Sequence, residues 1–381
     1  MVLISPCSIR RLCLAVASVL SLATCQPSTR QSTDQPQYPR MESYQTEEFE
    51  LDAGPAAADD YPMRLIQGQF SCSDEQTFHV TAGHYLEGNW IGSGIAEVGS
   101  DTAHPAPDSL FLQWFSYTED KFYEGRWLLP QRRIYDLLKA GFYNDDDREQ
   151  QTYDELTVCL VPGGVAVVWL TGDQMKTLIG RFDASEIPYD WRDYSIREET
   201  RAQIVGARRS EMTPEVQAEI KSGTISSKKW DEYLQTYPWK IEVVEQVGTQ
   251  SQPRTEPLTR YHHYMRYLNA EQATYATANT REAKSAYLDL ILQPTPKAVP
   301  KYFGLLVQNK YNERHEVRID SLDGAETIAA FQTVSRGLEK EPLTLRVKVD
   351  KAFTTAKLTL TNGFRTVPLT KAVVKIFEED E

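Results

Sequence analysis

The chain has 381 residues, enough for two domains of ordinary size, with a formal net charge of −13. So acidic a chain is a poor match for nucleic acid or anionic lipid headgroups. It suits a basic protein partner, or the charge only keeps the protein soluble.

Arg10 and Arg11 precede an apolar segment from Leu12 to Thr24, and Gln, Pro, Ser and Thr residues follow at once. This reads as a signal peptide over 1–24, because its apolar core is shorter than the roughly 20 residues a permanent span requires. The tetrapeptide Leu22-Ala23-Thr24-Cys25 resembles the lipobox of bacterial lipoproteins, although Thr24 replaces the usual Gly, Ala or Ser. Cys25 is therefore the expected lipidation site, with plain secretion as the alternative. Gln26, rather than Asp, after the cysteine implies the outer membrane, facing the periplasm. Cleavage removes two arginines and no acids, so the charge falls from −13 to −15. Residues 25–59 comprise the lipidated cysteine and a polar flexible tether, with a reach of roughly 30 Å.

Residues 60–190 read as a first β-rich domain. Leu110, Leu112 and Trp114 recur at every second position, the mark of a half-buried strand. Thr118, Glu119 and Asp120 form a polar turn. Tyr123, Trp127 and Leu129 then share one parity in a returning strand, placing Trp114, Trp127 and Trp169 in or beside the core. Pro130 stops the ladder, and Ile134, Leu137 and Leu138 follow at helical spacing. Gly163-Gly164 lies between two apolar runs as a hairpin turn. From 191 to 257 the chain reads as a helical connector and linker. Thr213-Pro214 is an N-cap with proline at the first helical position, Gly223 is a stop, and Ser227 caps a further helix. A Thr/Gln/Ser/Pro-rich linker is expected at 248–257.

Residues 258–381 read as a second β-rich domain that repeats the first. Phe303, Leu305 and Val307 repeat Leu110, Leu112 and Trp114 at an offset of 193. Val317 and Ile319 follow a polar turn, and Ile328, Phe331 and Val334 stand for the first helix. Leu156-Thr157-Val158 matches Leu343-Thr344-Leu345, and Thr171-Gly172 matches Asn362-Gly363. The expected fold is α+β, with two tandem duplicated antiparallel-sheet domains, each bearing a short helix, joined by a helical connector.

Candidate sites are sparse. Beyond the signal and Cys25, two cysteines remain, Cys72 and Cys159. They can form one disulfide, worth about 4 kcal/mol in the chain-entropy model, or stay as buried free thiols. His79 and His84 lack a nearby third ligand, and His262-His263 reads as satisfied polar residues. The acidic run Asp145-Asp146-Asp147 lacks calcium-loop spacing and reads as a solvated loop. No Gly-x-Ser-x-Gly elbow, P-loop or Gly-x-Gly-x-x-Gly occurs. No nucleophile–base pair can be picked out, so the expectation is a protein that is not an enzyme and uses neither cofactor nor metal.

Leu112-Gln113-Trp114-Phe115-Ser116, Lys121-Phe122-Tyr123-Glu124-Gly125, Leu129-Pro130, Pro162-Gly163-Gly164, Val167-Val168-Trp169-Leu170 and Pro238-Trp239 together resemble a family of bacterial lipoproteins described as being of unknown function. Its members are similar to proteins encoded beside type VI secretion phospholipase effectors. That resemblance implies an immunity protein that binds and occludes a secreted lipase, touching the membrane only through its lipid. The alternative is an envelope structural or assembly lipoprotein with no toxin partner. In the immunity reading, Asp145 to Asp147 are a charged rim that steers a basic face.

Overall fold

The computed structural model describes residues 41–88, 90, 103–144, 149–173, 175–194, 199–249, 252–276, 293–338 and 340–378. The first half runs through β1 (Asp52–Ala57), β2 (Met63–Ser71), β3 (Thr77–His79), β4 (Ser109–Ser116), β5 (Lys121–Leu128), α1 (Gln131–Ala140), β6 (Glu155–Val161), β7 (Val165–Thr171), β8 (Lys176–Asp183) and β9 (Ser185–Ile187). Helices α2 (Arg201–Ser210), α3 (Pro214–Ser222) and α4 (Lys228–Tyr233) follow. The second half holds β10 (Thr236–Thr249), β11 (Gln252–Pro257), β12 (Thr259–Tyr267), β13 (Gln272–Ala276), β14 (Pro300–Gln308), β15 (Arg314–Ser321), α5 (Gly324–Ser335), β16 (Leu343–Val349), β17 (Ala356–Thr361), β18 (Thr366–Leu369) and β19 (Val373–Glu378). The class is α+β, mainly β.

Three large sheets carry these strands. One runs β9-β5-β4-β2-β3, another β11-β10-β16-β17-β18, and a nine-stranded sheet runs β1-β6-β7-β8-β13-β12-β14-β15-β19 through both halves. Period-two alternation decides which side chains point inward. Leu110, Leu112 and Trp114 are all buried in the first core, and Phe303, Leu305, Val307, Val317 and Ile319 are buried in the second. β6 and β7 carry continuous apolar runs instead, and every residue from Val165 to Leu170 is buried, as a strand covered on both faces requires. Helix α1 adds Ile134 and Leu138 to the first core, while α5 adds Ile328, Phe331 and Val334 to the second.

Helix boundaries follow local chemistry. The Oγ1 of Thr213 accepts from the backbone N of Val216, Pro214 occupies the first turn, and Gly223 ends α3 at φ 67°. Ser227 precedes α4, but its hydroxyl donates to Asp231 at 2.7 Å and does not cap the helix. Gly163 and Gly164, at φ 83° and 73°, make the β6–β7 hairpin turn.

Three expectations are corrected. The tether does not extend to residue 59. A helical turn at Ser43–Thr46, a short strand at Glu48–Glu50 and β1 already belong to the fold, with Ala53, Ala56 and Ala57 buried. These side chains are small, so a search for large apolar residues passes over them. The helical segment ends at Tyr233, and 248–257 is no linker. β10 and β11 pair antiparallel there. The sheets are not purely antiparallel either, since β1 runs parallel to β6 and β10 parallel to β16. Trp127 sits beside the first core, as expected, half-buried on β5, its Nε1 donating to the carbonyl of Asp183 at 2.9 Å.

Candidate functional site

Helix α2 is built to grip the first hairpin. Thr200-Arg201-Ala202-Gln203 is a capping box: the Thr200 hydroxyl accepts from the Gln203 backbone N, and the Gln203 side chain accepts from the Thr200 backbone N at 2.8 Å. So anchored, the helix points two arginines at the turn between β4 and β5. Arg201 Nε donates to Asp120 Oδ1 at 2.6 Å, and Arg209 donates to the carbonyls of Tyr117 and Thr118 at 3.0 and 2.8 Å. The Arg201 guanidinium also lies over the rings of Phe115 and Phe122, 5.5 and 5.2 Å from their centroids. Behind this turn, the Glu119 carboxylate accepts from Ser116 Oγ, Tyr123 OH and the backbone N of Gly163. The β4–β5 and β6–β7 hairpin turns are thereby tied together.

Between α2 and the edge of β2 lies a cavity of about 700 Å³. Tyrosine and arginine dominate its wall. Arg64 stacks on Tyr194 with its guanidinium carbon 4.8 Å from the ring centroid, and Arg208 stacks on Tyr85 at 4.1 Å. Tyr85 meets Tyr117 edge to face at 5.2 Å, and the hydroxyls of Tyr117 and Tyr194 are 2.7 Å apart. Burial pushes the Tyr85 phenol up to about 12, against the pull of Arg208. Burial first, then the Tyr117 hydrogen bond, lifts Tyr194 far above the usual phenol range. Both phenols therefore stay protonated and able to donate at neutral pH. Arg208 is also paired with Glu211 at 3.1 Å. Arg64, by contrast, meets no carboxylate among the described residues, and its contact is with Tyr194. Such a concave, partly aromatic site with a few convergent polar groups is suited to holding a side chain or a small ligand.

Of the residues singled out in the sequence, Cys25 and Asp145, Asp146 and Asp147 lie outside the described residues. Cys72 and Cys159 are described, and the disulfide is not formed. Both are buried free thiols, Cys72 donating to the Pro105 carbonyl at 3.3 Å and Cys159 facing the Leu160 carbonyl at 3.8 Å. Each thus sits in its own buried environment. His79 and His84 are exposed. Among the described residues no cluster of three or more His, Cys, Asp or Glu side chains is placed to hold a metal.

The pocket residues escape a sequence reading because they come from four separated segments, Arg64, Tyr85, Tyr117 and 194–211, that only the fold brings together. One signal was legible. The Thr-x-x-Gln box at 200–203 starts a helix whose Ile204, Ala207, Arg208 and Glu211 share a face at helical spacing.

No curated protein and no solved structure matches the chain. One family does, over residues 29–227, which hold the pocket and helices α1, α2 and α3. The match covers a little over half of the 381 residues. The chain belongs to this family, DUF2931, described as a protein of unknown function.

Proposed function

We propose that this protein acts by binding another protein, with the tyrosine- and arginine-lined pocket at the centre of the contact surface. The observation that carries the reading is the make-up of that pocket. Tyrosine and arginine supply most of the energy at protein interfaces, and here two guanidinium groups are already stacked on rings, which lowers the entropy lost on docking. Following the lipoprotein resemblance, the partner is a type VI secretion phospholipase effector. A lipase must bring its cleft to a membrane, so a folded partner covering that cleft stops it without touching a catalytic atom. A diacyl anchor on Cys25 holds the protein in the outer membrane on the periplasmic side, and Asp145 to Asp147 steer the basic face of the lipase.

The test is co-expression in the periplasm with the lipase encoded beside this protein. Protection from lysis is expected, and it should weaken when Tyr85 and Tyr194 are both replaced by alanine. Absence of protection, with no complex recovered, favours the envelope structural role instead.

We also infer that the two halves arose by duplication of one unit. Strand orders β9-β5-β4-β2-β3 and β19-β15-β14-β12-β13 correspond, as do the parallel pairs β1/β6 and β10/β16. The turns Cys72–Gln76 and Tyr267–Glu271 also correspond at an offset of 195. In each, the first residue's N donates to the fifth residue's carbonyl, the fourth has φ near 70°, and the third residue's side chain accepts from the fifth residue's N. An experimental structure in which the two strand sets fail to superpose at that offset would reject the duplication.

A further inference from the structure

We propose that the pocket receives the side-chain carboxylate of an aspartate or glutamate presented by the partner protein, held by Arg64. The inference rests on the partner-binding reading above and specifies its chemistry. Of the charged groups in the wall, Arg208 is engaged by Glu211 and Tyr85, whereas Arg64 contacts only the ring and hydroxyl of Tyr194 among the described residues. The Tyr194 ring lies under the guanidinium and its hydroxyl is hydrogen-bonded to it, which leaves the other N–H groups of Arg64 to meet a carboxylate.

The neighbouring phenols supply a further donor. Tyr117 and Tyr194 share one hydrogen bond, at 2.7 Å, so whichever hydroxyl accepts it keeps its own proton to donate. Raised proton affinity at Tyr194 keeps that proton in place. Ile204 and Ala207 on α2 add apolar surface beside these donors. An acidic anchor inside an otherwise basic partner face fits the charge of this chain.

The full chain, secreted without lipid and labelled with ¹⁵N, is titrated with N-acetyl-glutamate methylamide, and the arginine Nε–Hε resonances are followed by NMR. A saturable shift of Arg64 is expected. N-acetyl-glutamine methylamide should bind at least tenfold more weakly; followed through the backbone amides of Ile204 and Ala207, binding should be abolished in Arg64→Gln without a change in the thermal melt and weakened in Arg64→Lys. Equal shifts from both probes, or no saturable shift, overturn the proposal. So does tighter binding of N-acetyl-alanine, whose only carboxylate is terminal. Should the wild type and Arg64→Gln protect equally against the neighbouring lipase, the carboxylate inference fails and the partner-binding reading stands. Should the wild type give no protection, it is that reading which fails, whatever the titration gives.

Discussion

The indole N–H of Trp169 donates to the backbone carbonyl of Asn269 at 2.9 Å, reaching from β7 of the first half into the turn between β12 and β13 of the second. Beside it Trp90 donates to the carbonyl of Leu268 at 2.6 Å, and the two indoles meet edge to face at 5.0 Å. Ala270, at φ 68°, is wholly buried in the first core, and the Leu178 N donates to Glu271 at 3.0 Å. The turn is a plug seated in the other half. Among the described residues β8 and β13 share one pair, Lys176 and Gln272, so the plug supplies most of the contact described at this joint.

Replacing Trp169 by phenylalanine removes the donor and leaves a gap in a fully packed site. A loss of about 2–3 kcal/mol is expected from urea unfolding. The specific readout is hydrogen exchange at the amides of 268–271, which should quicken more than those of β14. Uniform quickening across both halves would mean that Trp169 only fills the core.

Gly125 on β5 lies under its own neighbour, Trp127. A Cβ built at Gly125 falls 1.9 Å from the Trp127 ring. The indole covers the bare backbone and packs on Phe182 at 5.5 Å, as aromatic side chains do over strand glycines. Gly125→Ala should expel the ring and lower stability by about 1–3 kcal/mol, with Trp127 fluorescence shifting to longer wavelength. An unshifted spectrum would contradict the packing.

Lys176 is buried, its ammonium 5.2 Å above the Trp169 ring. Burial is the main cause that pulls its pKa down to about 8. In the unfolded chain a lysine titrates near 10.4. Between about pH 8 and 10.4 the unfolded chain keeps a proton the folded one has lost, so this group makes stability rise with pH in that window. Below it, both states are charged and the cost of burial is at its full value. Lys176→Met should therefore be more stable than the parent at pH 7, with the advantage shrinking from pH 8 to 10. Other groups titrating there, such as Cys72 and Tyr85, are common to both proteins and cancel in the difference. A pH-independent difference would show that Lys176 does not carry the cost.

Burial, reinforced by Asp74 and Asp108, pushes the Cys72 thiol up to about 12, and burial raises Cys159 as well. Neither thiolate forms at pH 8, so a thiol reagent should leave the folded protein unmodified. In denaturant without reductant, a Cys25→Ser chain secreted without its signal should release two equivalents. Release of none would restore the disulfide.

Much of this architecture was legible because it depends on periodicity. Leu110, Leu112, Trp114 and their counterparts Phe303, Leu305 and Val307 are apolar at alternate positions, and alternation aims them inward whatever lies around them. β1 and β10 were not legible. Asp52-Ala-Gly-Pro-Ala-Ala57 contains no large side chain, and its strand state comes from pairing with β6, about a hundred residues away. The pocket was hidden for a related reason. Its arginines and tyrosines look like ordinary surface residues until α2 is laid against the hairpin turn.

The joint between the halves is of unlike strands, β8 of the first half against β13 of the second within the nine-stranded sheet, and a contact between unlike surfaces can repeat without end. Built from identical units, it would grow a fibre. On the duplication proposed above, two features end the series at two units. The strand at the far edge, β18, carries Pro368, which has no N–H to offer a newcomer. At the near end the turn Cys72–Gln76, the counterpart of the plug, is already occupied by its own chain, through Glu48, Pro105 and Asp108. On that reading the two ends of the molecule are closed by different means, one by a residue that cannot donate and the other by a turn already filled.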